Sequence, residues 1–458
     1  MGAESDRRVA LFGPERGLAP SPCPRLRPRA KAWRELRRAP PRPPLWAYGI
    51  STSFATALAI LLALLSGCSP KSSKRTVVFW QFSPTAAIQP ILTRFEAQNP
   101  DLHVQVEQLT WQSGREKIVA AIAAGQPPDL CELGSTFLPG LVADSTLRDL
   151  TDSVADLRPS LVAWDVASYK GRAYGIPWMV GTRALFINED LVKKAGLDPA
   201  KPIATWDDLA KTARAIATRV PDAKGFGMNA GEREILFKKF MPFAWGNGGD
   251  ILDSTLTKSV FASRANLEAL RFYLSLKPWS LLDRQEMHDE AFAKGRLGII
   301  ISGPWLLRKI PQESPDLHYT VALMPRPPRD RGKPASFAGA EVLGMFRNSK
   351  HVPDALRLAR FLVRPENTMP LFLATGNAFP AAAASAADSY FVSHPKDAVF
   401  LTQLKTAVGP PLHPRWVEIE EIINGELEEA IYGKKSAEAA LQSADARIQA
   451  VLTQAPSP

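Results

Sequence analysis

The chain has 458 residues, 45% hydrophobic and 22% charged, with a formal net charge of +10. The charge is uneven: residues 1–75 carry 14 Lys/Arg against 4 Asp/Glu, and the remainder carries 42 of each sign. The high isoelectric point therefore belongs to the leader. It gives no ground for nucleic-acid binding, which needs a basic face on the folded body.

Residues 1–45 are rich in Arg and Pro, show no hydrophobic periodicity, and are predicted to be disordered. An apolar stretch over 45–65 follows, about 20 residues, long enough for a transmembrane helix. Its densest part, 55–65, has the length of a signal-peptide core. It runs into Leu62-Ala63-Leu64-Leu65-Ser66-Gly67-Cys68, and a polar segment over 69–74 comes next. This ending resembles the lipobox of bacterial lipoproteins. The resemblance implies cleavage before Cys68, a diacylglyceryl group on its sulfur, and a body outside the cytoplasm, periplasmic or at the cell surface. An uncleaved anchor is the alternative, and it also puts the body outside. On this reading 1–67 is leader plus signal peptide, and 68–75 is a flexible linker.

About 385–390 residues remain, enough for roughly two domains. Cys131 is the body's single cysteine, so no intramolecular disulfide can form there and core burial must hold the fold. Its setting, Pro128-Asp129-Leu130-Cys131-Glu132-Leu133, reads as a strand, with the thiol as a small buried hydrophobe.

In chain order, Thr76-Val77-Val78-Phe79-Trp80 predicts a buried parallel strand. The spacing of Ile88, Ile91, Leu92 and Phe95 predicts a helix over 86–98, stopped by Asn99-Pro100. A strand over 103–109, a helix over 113–124 closed by Gly125, and the strand ending at Leu133 complete a βαβαβ pattern, the mark of a parallel sheet. Extended segments are predicted at Tyr174–Trp178 and 184–188. A helix over 206–218 follows with Thr205 as N-cap, and helices continue to about Lys294. Strands are predicted over 298–302, 319–324 and 341–346. The tail from Val352 is helical, broken at Gly376-Asn377-Ala378-Phe379-Pro380.

Taken together, the pattern resembles the extracellular solute-binding proteins of ABC importers, the family of the maltose-type sugar binders. It spans Thr76 to about Leu452. The ordered pieces include Phe95-Glu96-Ala97-Gln98-Asn99-Pro100, Pro127-Pro128-Asp129-Leu130, Tyr174-Gly175-Ile176-Pro177, Leu185-Phe186-Ile187-Asn188, Thr205-Trp206-Asp207-Asp208-Leu209, Gly246-Asn247-Gly248-Gly249 and Gly303-Pro304-Trp305. Ile187 departs from the tyrosine usual there, and Ala340 from a common glycine. The resemblance implies an α/β fold of two lobes, each a mixed or parallel sheet flanked by helices, with a ligand cleft between them. The N-terminal lobe is expected over 76–180 with 322–340, and the C-terminal lobe over 185–316 with 345–452.

A sugar cleft needs flat aromatic platforms beside hydrogen-bonding side chains, because sugar rings have apolar faces and polar rims. Ligands of open α/β sheets sit beyond the carboxyl ends of strands. The expected ligand-binding set is therefore Trp80, Gln81 and Ser83 after the first strand, Glu132 and Ser135 after the third, Trp178, Trp245, Gly303 with Trp305, Glu341, Asn377, and Arg415 with Trp416. For Trp305 and Trp416 the stacking role is what the resemblance implies. Arg183 and Arg415 are candidates for an anionic ligand. Trp111, Trp164, Trp206 and Trp279 are read as structural.

There is no HExxH, paired CxxC, GxSxG or P-loop motif, and no histidine pair at metal spacing. The expectation is no catalytic residues, no cofactor and no metal. The expected role is capture of a di- or oligosaccharide by hinge closure and delivery to ABC permease subunits powered by a separate ATPase. The protein is expected to act as a monomer held to the membrane by its lipid. Two alternatives stand: an exported glycoside hydrolase, for which Glu132 and Glu341 could be the carboxylate pair, and a binder of another solute such as a glycerophosphodiester.

Overall fold

A computed structural model describes residues 74–232, 235–328 and 332–454. Cys68, the expected signal segment and nearly all of the expected 68–75 linker lie outside the described residues. Within them the chain builds two large sheets and one small two-stranded sheet. The first holds β1 (Arg75–Gln81), β2 (Leu102–Gln108) and β3 (Leu130–Gly134) in parallel. The helices Thr85–Gln98 and Gly114–Ala123 make the two crossovers. A small hairpin, β4 (Ser168–Tyr169) with β5 (Arg172–Ala173), precedes the long β6 (Gly175–Thr182).

The second sheet contains β7 (Ala184–Asn188), β8 (Lys224–Asn229), β9 (Ser280–Asp283), β10 (Leu297–Ser302) and β11 (Tyr319–Ala322), in the order β11-β7-β10-β8-β9. β8 runs parallel to both β9 and β10. The chain then returns to the first sheet in β12 (Ser336–Gly344), which lies antiparallel between β3 and β6. Two short strands, β13 (Phe379–Pro380) and β14 (Ala407–Val408), pair with β6 and β12.

β8 and β9 were not legible as strands, and the sequence predicts helix through that region. The reason is compositional. Lys224-Gly225-Phe226-Gly227-Met228-Asn229 lacks β-branched residues, because the strand is pressed against the helix Trp206–Arg219. An added Cβ at Gly225 would meet the Ala213 carbonyl oxygen at 1.9 Å. That helix starts as expected: the Thr205 hydroxyl accepts from the Asp208 N–H, and the Asp208 carboxylate accepts from the Thr205 N–H.

The helices are shared out differently from the expected lobe boundaries. Helices Val352–Leu362 and Pro365–Thr375 pack on Thr85–Gln98, beside the first sheet, rather than with the second lobe. Polar ties fix them there: Arg75 pairs with Asp354, and Arg94 donates to Asn367 at 2.7 Å. Only the helices Trp416–Ile431 and Ala437–Thr453 join the second core, against Leu236–Gly246 and Arg264–Ser275. Cys131 is fully buried in β3, and burial pushes its thiol pKa well up.

The close contact at Gly225 sets a prediction. Gly225→Ala is expected to lower unfolding stability by about 3 kcal/mol, since neither backbone can yield. Urea unfolding of the variant beside the parent checks it.

Candidate ligand cleft at the strand crossing

β6 ends at Thr182 in the first sheet, and β7 begins at Ala184 in the second. Arg183 is the single residue between them. The return crossing passes alongside. The Thr182 hydroxyl donates to the Phe337 carbonyl at 2.7 Å, and the Ser336 hydroxyl donates to the Arg183 carbonyl at 2.7 Å. Ser302 at the end of β10 pairs with Ala184, and Gly134 at the end of β3 pairs with Glu341, so both strand ends lie beside the crossing strands.

On the first-lobe side, Gln81 and Glu132 sit side by side at the ends of β1 and β3, both buried. Both polar atoms of the Gln81 amide lack a partner. A buried amide left unpaired is costly, so this position suits a polar visitor. Glu132 accepts from the Phe82 N–H at 2.7 Å. Glu341 stands diagonally across from it on the neighbouring β12, on the same face. Burial drives the Glu132 pKa well above the usual carboxylate range, and the charge of Glu341 adds to this. Burial raises Glu341 to about 7, against the pull of the Arg183 guanidinium.

On the second-lobe side, Trp305 follows β10. Its indole N–H donates to Asp289 at 2.8 Å. Asp289 also accepts from Ser302 at 2.8 Å and Gln285 at 2.7 Å. Burial raises its pKa, and these donors resist the rise. The Arg183 guanidinium lies over the Trp305 ring, 4.6 Å from its centroid. Lys239 is buried, donates to the Ile301 carbonyl at 2.6 Å, and has its pKa lowered to about 7, first by burial and then by Arg183. The Gly376–Asn377 turn abuts this wall: an added Cβ at Gly376 would come within 3.0 Å of the Pro304 carbonyl oxygen.

The structure thus gathers Gln81, Glu132, Glu341, Gly303, Trp305 and Asn377 from the expected set, with Ser83 buried just beyond β1. Ser135 extends the β3–β12 ladder, exchanging bonds with Ala340. Five expected residues lie elsewhere. Trp178 is packed edge-on against Phe79 in the first core. Trp245 is buried in the second core and donates to Asp250. Trp416 is buried edge-on to Phe237 and donates to Glu420 at 2.8 Å. Arg415 clasps Glu418, the Val451 carbonyl and Gln454. Trp80 points to the other face of β1 from Gln81, under the Lys117 ammonium.

Sequence reasoning missed Lys239, Asp289 and Phe337, which carry no motif and lie inside helices or strands. Trp111 is expected from the sequence to be structural. Its ring is 45% exposed, stacks on Phe82 at 4.0 Å, and lies against Gly134 at the end of β3. A surface pocket of about 400 Å³ bounded by Leu157, Leu161, Arg360 and Pro365 includes none of these residues.

A family model described as bacterial extracellular solute-binding protein matches residues 81–369. The chain belongs to this family. Putative binding proteins of Brucella abortus are 27% identical to this solute-binding protein over 409 residues, covering 86% of this chain and 96% of theirs. The sn-glycerol-3-phosphate-binding periplasmic protein UgpB of Escherichia coli is 24% identical over 427 residues, covering 85% of this chain and 94% of its own. An ABC transporter solute-binding protein of Thermotoga lettingae, solved with alpha-D-tagatose, superposes with TM-score 0.76 at 26% identity, covering 83% of this chain and all of that one. The two sheets are accordingly the lobes of a periplasmic-binding-protein fold of maltose-binding type, and this protein is the solute-binding component of an ABC transporter, working outside the cytoplasm. Among the described residues no helix is long and apolar enough to cross a membrane.

Glu341 gives this solute-binding protein a pH signature. Its folded pKa of about 7 lies above the 4.5 of an ordinary glutamate. The native state therefore holds a proton that the unfolded chain releases. The associated stability is full below about pH 4.5 and is lost as pH rises to 7. Glu341→Gln is expected to gain about 1–2 kcal/mol on the parent across that window, allowing for partial exposure. Urea unfolding at stepped pH values reads this.

Proposed function

We propose that this protein captures a neutral di- or oligosaccharide between its lobes and hands it to a membrane permease whose ATPase is a separate chain. The observation that carries the reading is the composition of the crossing. An aromatic platform, Trp305, stands among the buried Asp289, Glu132 and Gln81 and the half-buried Glu341, where a sugar's apolar face and hydroxyl rim both find partners. The carboxyls are biased toward the neutral form and can then donate as well as accept. Ligand touching both lobes would favour the closed form by its differential affinity. The relative solved with alpha-D-tagatose supports a sugar.

A second reading, an sn-glycerol phosphate or its diesters, is favoured by the two cations Arg183 and Lys239 and by the likeness to UgpB. Both cations already have other partners, Lys239 the Ile301 carbonyl and Arg183 the Trp305 ring, which tilts the balance to a neutral solute. Binding rather than turnover is the expected role, with no catalytic residues. The protein acts as a monomer tethered through lipid on Cys68.

A thermal-shift panel decides between the solutes. A native-state ligand raises the melting temperature by mass action. A neutral di- or oligosaccharide is expected to raise it by several degrees without appearing as hydrolysis products. A response confined to sn-glycerol 3-phosphate would reverse the order of the two readings, and turnover would replace both. Cys68→Ala is expected to move the protein from the membrane to the soluble fraction on cell fractionation.

A further inference from the structure

We propose that Arg183 is a displaceable occupant of the Trp305 ring, covering the face on which a solute would stack. The inference rests on Trp305 being a ligand platform, as argued above.

Trp305 has two faces, and both are taken. Gly303 covers one. An ideal Cβ on Gly303 would lie 1.9 Å from ring atom Cζ3 and 2.4 Å from each of its neighbours Cε3 and Cη2. Those near-equal distances describe a point above the ring plane. An approach from the rim would leave the neighbours much farther away. The backbone of Gly303 is therefore laid on the indole. The Arg183 guanidinium, 4.6 Å from the ring centroid, is left the opposite face. The indole N–H is committed to Asp289 at 2.8 Å. A sugar ring can stack here only where Arg183 now lies.

Arg183 is held loosely enough to leave. It forms no ion pair among the described residues, and its guanidinium donates to the carbonyl of its own neighbour, Thr182, at 3.1 Å. Stacking holds it instead, between Trp305 and the more distant Phe337 ring at 5.8 Å. Two carboxyl groups, Glu341 first and then Asp289, are close enough to favour its charge without pairing with it. An entering polyol would release the guanidinium toward Glu341. Arg183 is also the residue that joins the two sheets, so its backbone must turn when the lobes move. Release of the side chain and closure are then one event. Arg183 acts as a selectivity element: a solute that stacks on the indole less favourably than the guanidinium does not displace it.

The test uses the purified full chain in detergent. Acrylamide quenching of tryptophan fluorescence is measured in the parent, Arg183→Ala and Arg183→Met, each also carrying Trp305→Phe as reference. The difference within each pair isolates Trp305. Trp305 is expected to be protected in the parent and at least about threefold more quenchable in both arginine variants. Equal quenching of Trp305 in all three backgrounds overturns the proposal. Using two variants guards against a single folding failure. Maltose is the binding probe in a second arm. Its affinity is expected to rise about 5- to 30-fold in Arg183→Met, the factor a cation–π contact is worth. A fall in that affinity also overturns the proposal, making Arg183 a direct ligand contact. If maltose binds neither form, the sugar reading is what suffers, and the quenching still decides on Arg183.

Discussion

Two hydroxyl-to-carbonyl bonds, Thr182 to Phe337 and Ser336 to Arg183, hold the crossing strands in register. The rest of the molecule depends on that register. β6 and β12 form the longest antiparallel pair of the first sheet, and β7 starts one residue after β6 ends. Backbone that crosses from one sheet to another cannot satisfy all its polar groups within either ladder. The side-chain hydroxyls meet that need locally. They also fix where Arg183, Phe337 and Glu341 emerge, and so fix the wall of the cleft.

Ionisable groups buried at such a junction are costly unless each finds a partner. The partners here are varied. Asp289 has three donors, Lys239 a carbonyl, Glu132 a backbone N–H, and Arg183 two aromatic faces. Gln81 is the exception, buried with its amide unpartnered. The arrangement is preorganised on the second-lobe side, where Trp305 is immobilised by Asp289 and Gly303. On the first-lobe side Gln81 and the weakly ionising Glu132–Glu341 pair leave polar capacity in reserve. A ligand that spans the two sides would meet a rigid platform and an unsatisfied rim.

Much of this was legible in the sequence. The βαβαβ start, the capped helix after Thr205 and the short strand before Gly303-Pro304-Trp305 follow from local periodicity and cap chemistry. Glu132 and Trp305 could be placed near strand ends from the same local pattern. What was not legible depends on distant packing. β8 looks unlike a strand because glycine was needed against the Ala213 backbone. Trp178, Trp245 and Trp416 share turn-like or terminal sequence positions with Trp305, and only the three-dimensional neighbours Phe79, Asp250 and Glu420 turn them inward. Lys239 and Asp289 gain meaning solely from being buried near Arg183. Helices 352–375 could not be assigned to a sheet by periodicity, which reports that a face is buried and not what buries it.

Cys131 has one more implication. Its sulfur is sealed inside β3, its thiol pKa is raised, and its weak donor is spent on the Glu132 carbonyl at 3.3 Å. Thiolate character and access are what oxidants and disulfide exchangers require. The folded body therefore offers the redox chemistry outside a cell no handle at this residue. Its maturation needs no oxidising catalyst to join a bond there, and its cleft geometry stays the same in reducing and oxidising surroundings.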